Sequence, residues 1–155
     1  MNNEKDNVYD LVEDFYAHDE GWNTLLRQEY AEGFLRMEAW KGKKNSDLYR
    51  SWDNLTMLCL YLGSAETFLG DMNADDFIDC IAWCGRNISE FTPDYKNTQD
   101  FLETCDGLFK YLKGKNAISN DTVPATAAEI LLQEGKMNII LPDGSFDEAN
   151  AERAW

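Results

Sequence analysis

A mainly α fold is what this sequence predicts: a single-domain bundle of about five helices with a small C-terminal helix and β-hairpin. Three observations carry that reading. Apolar residues recur at spacings of three and four along most of the chain. Helix-start and helix-stop residues bracket those stretches. The chain is also 44% hydrophobic, with 5 Trp, 7 Tyr and 8 Phe, enough apolar mass for a core despite its acidity. At 155 residues it fits one domain that folds without metals or disulfides as staples.

The elements follow in order. Val8, Leu11, Val12, Phe15 and Tyr16 describe a short helix with an acidic opposite face. Trp22, Leu25, Leu26, Tyr30, Phe34, Met37 and Trp40 continue as a second helix until the break at Lys41-Gly42-Lys43-Lys44-Asn45. Ser46 is placed to cap a third, carrying Tyr49, Trp52, Leu55, Leu58, Cys59 and Leu62 and stopping near Gly63. Asn73 with Asp76 forms a capping pair for a fourth, which turns Phe77, Ile78, Ile81, Cys84, Ile88 and Phe91 inward. Thr92-Pro93-Asp94 reads as cap, first helical residue and dipole partner of a fifth. That helix carries Tyr95, Leu102, Cys105, Phe109 and Leu112 and ends at Lys113-Gly114.

The texture changes after Ile118. Thr126 and Glu129 read as a capping box before Ile130-Leu131-Leu132, and Gly135 closes that short helix. Met137 to Leu141 has strand character, Pro142-Asp143-Gly144 is a turn, and Ser145 to Asp147 is a short return strand. Residues 1–116 are therefore expected to form the bundle, with 117–155 an appendage packed on it.

Charge bounds the function. Twenty-nine Asp plus Glu face 14 Lys plus Arg, a formal −15 with one histidine. Such a surface draws in cationic partners and repels polyanions, so nucleic acids and anionic membranes are not expected partners. Between Glu66 and Asp106 ten acidic residues meet only Arg86 and Lys96, a net −8. The basic residues gather instead at Arg36, Lys41, Lys43, Lys44 and Arg50, and at Lys110, Lys113 and Lys115. Cys59, Cys80, Cys84 and Cys105 each sit among apolar neighbours in helical segments, as free thiols of a core do. Together with an N-terminus lacking a signal-length apolar stretch, this makes a cytoplasmic setting the simplest expectation.

The candidate sites each have a plainer structural account. Asp71-Met72-Asn73-Ala74-Asp75 opens like an EF-hand loop, but Asp76 and Ala82 stand where that loop needs glycine and a bidentate glutamate. Helix capping explains the same residues. Cys80 and Cys84 share one helix face, yet a zinc site wants two tightly spaced ligand pairs in loops, so no metal is expected. His18 ends the first helix beside carboxylates, with no serine or cysteine in a nucleophile context. Adjacent acidic pairs such as Glu13-Asp14 and Asp75-Asp76 diverge in direction on a helix, unlike the facing carboxylates of a glycosidase. Neither a GxGxxG nor a GxxxxGK[ST] loop occurs, and no cofactor is expected.

From Leu55 to Asp121 the chain resembles the helical core-binding, SAM-like domain of tyrosine recombinases. The residues that carry this are Leu58-Cys59-Leu60-Tyr61-Leu62, Asp71 through Ile78 into Trp83, Phe101-Leu102, Leu108 through Leu112, and Lys115-Asn116-Ala117-Ile118. The resemblance implies a set of packed helices of the kind that clamps DNA beside a separate catalytic domain. No catalytic domain follows here, one histidine is too few for the recombinase Arg/His/Tyr constellation, and the matching stretch is acidic.

The function these features favour is a non-catalytic, acidic module that binds another protein. Its contacts are expected from the acidic helix start at Asp75, Asp76 and Asp79, or from an aromatic strip of Trp22, Trp40, Trp52 and Trp155. Two alternatives are a DNA mimic that inhibits a nucleic-acid-binding protein, and a carboxylate-based or metal-dependent enzyme with a clustered acidic cavity.

Overall fold

Apolar residues at helical spacing leave the backbone one economical choice, and the chain takes it throughout the region seen. The computed structural model describes residues 4–18, 21–40, 42–88 and 91–136, without the side chains of 4–7, 38–40 and 45. Among these residues there are seven α-helices and one 3-10 turn, Leu69–Asp71, with no strand. The hairpin expected over 137–147 lies outside the described residues. No helix of the described region is long and apolar enough to cross a membrane.

The chain divides into two compact units, residues 1–69 and 70–155. Residues 117–136, expected in an appendage, belong to the second.

The first unit holds α1 (Glu4–His18), α2 (Trp22–Leu25), α3 (Gln28–Trp40) and α4 (Asn45–Ala65). α4 packs against the other three, and α1 also meets α3. Val8 and Val12 of α1 and Leu48, Leu55, Leu58 and Leu62 of α4 are fully buried, each set on one helical stripe. Phe15 bridges two tryptophans edge-on, with ring centroids 4.4 Å from Trp22 and 5.7 Å from Trp52.

The segment read as one helix from Trp22 to Trp40 is two. Leu26 is extended (φ −151°, ψ 114°) and ends α2. The buried Tyr16 hydroxyl donates to the Leu26 carbonyl at 2.5 Å, and Asn23 Oδ1 accepts from the Gln28 amide at 3.0 Å. Both bonds hold backbone groups that a continuous helix would have used itself. α4 begins one residue before Ser46, so that serine does not cap it, and Lys44 in the cap position makes no side-chain bond. Gly63 does not stop it either: Leu25 Cδ1 would sit 3.9 Å from a Cβ there, and the helix runs on to end at Glu66 in the left-handed region, φ 55°.

The second unit holds α5 (Ala74–Asn87), α6 (Tyr95–Gly114) and α7 (Val123–Glu134), with α7 packed on both others. The capping box of α5 is present in full. Asn73 Oδ1 accepts from the Asp76 amide and Asp76 Oδ2 accepts from the Asn73 amide, each at 2.9 Å. α5 stops at Asn87, short of Phe91, whose ring instead lies 6.4 Å from that of Phe101. Phe77 of α5 meets Phe109 of α6 edge-on at 5.3 Å within the core.

Two helix starts differ from the sequence expectation by a shift of register. Asp94, not Thr92, caps α6, accepting from the Asn97 amide at 2.9 Å; its carboxylate out-competes a threonine placed two residues too early. α7 starts at Val123 rather than after Thr126. Pro124 takes the first turn, and Thr126 is already helical, its hydroxyl donating to the Thr122 carbonyl at 3.0 Å. Gly135 closes α7 with φ 69°, as a left-handed C-cap requires.

Candidate interaction groove

One side of α6 and one side of α7 leave a groove of about 300 Å³ between them. On the α7 side it reflects more apolar positions than one core face can take, and on the α6 side a mostly polar row flanks the core face. On α6, Phe101, Leu102, Cys105, Leu108, Phe109 and Leu112 face the core. The flanking row of Tyr95, Gln99, Glu103 and Asp106, spaced at three and four, forms one wall of the groove. On α7, Ala127 and Leu131 go inward while Pro124, Ala125, Ala128 and Leu132 face the groove. Small residues here keep the floor shallow and open.

Of the five large apolar side chains exposed in the described region, two belong to this groove: Tyr95 at 49% and Leu132 at 53%. One exposed apolar side chain from each helix thus borders the groove.

The rim is acidic. Glu103, Asp106 and Glu129 line it, and no Lys or Arg does. Asp106 Oδ2 accepts from Lys110 Nζ at 2.5 Å one turn further along, while Asp106 Oδ1 is buried with no hydrogen-bond partner among the described residues. That bond raises the Lys110 pKa above its ordinary value. Glu103 and Glu129 take part in no ion pair among the described residues, so two carboxylates of the rim are uncommitted.

The turn that joins the two walls is anchored. Asn120 Oδ1 accepts from the Thr122 amide at 3.0 Å and hydroxyl at 2.7 Å, ordering the turn that delivers α7. Lys113 of α6 reaches Asp121 in that same turn at 3.6 Å.

The residues singled out from sequence do not assemble into a site. Trp22 and Trp52 are buried, 6% and 7% exposed, on either side of Phe15, so neither presents a ring to solvent. The Trp40 side chain and Trp155 lie outside the described residues. Asp76 is occupied by the capping box, while Asp75 and Asp79 sit on successive turns of α5, Asp75 exposed and Asp79 half-buried. His18 ends α1 with its ring Nδ1 2.9 Å from the Asp14 carbonyl oxygen, fully on the surface. All four thiols are buried, and burial pushes that of Cys59 well above its ordinary pKa. Among the described residues no group of three or more His, Cys, Asp or Glu is arranged to hold a metal ion.

One signal for the groove is present in the sequence. Ile130-Leu131-Leu132 are consecutive on a helix, about 100° apart around its axis, and cannot all reach one core. One must stay in water, and it is Leu132. Compared with models of known protein families, with curated proteins and with solved structures, the chain matches none of them.

Proposed function

We propose that this chain is a non-catalytic protein-binding module whose contact face is the groove between α6 and α7. The observation that carries the reading is the pairing of exposed apolar side chains with an acidic rim on two helices whose connecting turn is anchored. Side chains of that kind gain free energy when covered, and the carboxylates around them set which partner covers them. Two further facts support a role without chemistry: the single histidine is exposed and lies on α1, in the other unit, and the thiols are buried.

The test is partner capture from the source organism's lysate with the wild type and with Leu132→Asp. Leu132 is half exposed, so the substitution leaves the core untouched, and equal helicity and melting temperature verify this. A partner retained by the wild type and lost by the variant supports the reading. Identical captured sets, or none, refute it.

A further inference from the structure

We infer that the groove between α6 and α7 takes a cationic amphipathic α-helix, a deepening that rests on the protein-binding reading above. Four features of the site select that occupant. The first is shape: the α6 wall from Tyr95 to Asp106 is about 16 Å long at 1.5 Å per residue, about three helical turns, and it is continuous because one helix makes it.

The second is backbone chemistry. An extended peptide needs a partner for its own N–H and C=O groups, usually a sheet edge, and the described residues contain no strand. A helix satisfies its backbone internally and offers only side chains. Polyproline ligands favour aromatic-lined grooves, and here Tyr95 is the single ring.

The third is apolar fit. A volume of about 300 Å³ between Leu102, Ala128 and Leu132 accommodates a few aliphatic anchors at positions i, i+3 or i+4, and i+7 of the incoming helix. The fourth is charge. Glu103 and Glu129 are uncommitted carboxylates on opposite walls, so lysines or arginines flanking the anchors meet an acid on either side.

The same charge argument disfavours two nearer occupants. A second copy of this chain brings another −15 to the rim. The segment 137–155 carries Asp143, Asp147, Glu148 and Glu152 against Arg153 alone.

A protein of charge −15 attracts any polycation, so the decisive variants must keep the charge and alter only the groove. The experiment uses the full chain and three capped peptides of about four helical turns. The first places leucine at i, i+3, i+4 and i+7 with lysine elsewhere. The second exchanges those lysines for glutamate, and the third exchanges the leucines for serine. Binding is read by fluorescence anisotropy and mapped by backbone amide shifts.

The leucine–lysine peptide should bind, with shifts concentrated at Tyr95 to Asp106 and Val123 to Leu132. Ala128→Trp, which fills the groove at constant charge, should weaken it at least tenfold; Ala125→Trp, at an exposed position, serves if the first variant is unstable. Glu103→Gln with Glu129→Gln should weaken it about three- to tenfold, a loss that fades with added salt. Neither control peptide should shift the groove amides. Affinity indifferent to the tryptophan variants, or shifts spread along α5, would mean general electrostatic attraction and overturn the inference. Equal binding of the glutamate peptide would overturn the cationic occupant while leaving a protein-binding groove in place. No groove binding by any peptide, with partner loss in Leu132→Asp still observed, would overturn the helical occupant alone. Protection of the groove by self-association, or by a peptide of residues 137–155 added in trans, would replace the proposed partner.

Discussion

Tyr16→Phe removes one oxygen from the first unit, and the structure says what that oxygen does. The hydroxyl donates to the Leu26 carbonyl at 2.5 Å, both residues are 3% exposed, and the bond fixes the break between α2 and α3. A buried hydrogen bond contributes about 0.5–1.5 kcal/mol net, and a stranded buried acceptor raises the loss to about 1–3 kcal/mol. The variant should therefore lose about 2 kcal/mol at pH 7. The deficit should also shrink with pH. Burial, the largest cause, with Cys59 and Glu32 adding to it, holds the Tyr16 pKa far above the ordinary 10.0. The unfolded chain thus releases this proton first. Wild-type stability from the group is complete below pH 10 and falls above it, by about 1.4 kcal/mol at pH 11, whereas phenylalanine has nothing to release. Urea midpoints followed by tryptophan emission at pH 7, 9, 10 and 11 should show the two proteins converging. A deficit below about 0.5 kcal/mol at pH 7 would deny the buried bond. A deficit constant across the series would mean that Tyr16 ionises in the folded state as easily as in the unfolded one.

Asn73→Ala should cost the second unit about 1 kcal/mol and speed amide exchange in the first turn of α5, while Asn73→Asp keeps the cap and both properties. Unchanged exchange at residues 74–77 would argue against the box. None of the four thiols should react quickly with a disulfide reagent in the native protein, and all four should react in denaturant, because each is buried and Cys59 also resists ionisation. One fast native thiol would locate an opening the structure does not contain.

Sequence chemistry reveals this fold where the determinants are local. The Asn73–Asp76 box needs only two side chains three residues apart, and Gly135 needs only its freedom at φ 69°. It fails where distant groups compete for the same backbone. Nothing in Trp22 to Trp40 announces a break at Leu26, because the donor that claims its carbonyl is Tyr16, ten residues earlier on another helix. The tryptophans illustrate a second limit. Helical spacing marks Trp22 and Trp52 as apolar positions on their helices, but it does not show that the ring of Phe15, on a third helix, packs against both of them in the interior. At α6 two capping residues lie within three positions, and the stronger acceptor wins, which moves the start to Asp94. The groove is half legible: the surplus of apolar residues on α7 is visible in Ile130-Leu131-Leu132, whereas the facing row on α6 reads as an ordinary solvated side until α7 is laid beside it.

The division after Leu69 has a thermodynamic consequence. Each unit has its own buried cluster, Phe15 with the tryptophans in one and Phe77 with Phe109 in the other, so the two are expected to unfold with separate enthalpies and midpoints. Exchange protection along α1 to α4 reports the first, and exchange protection along α5 to α7 reports the second. A scanning calorimeter would see both at once, and the van't Hoff enthalpy drawn from its trace should fall below the calorimetric area; equality of the two would show that the units unfold together. A melting temperature for this chain is then a property of the probe as much as of the protein.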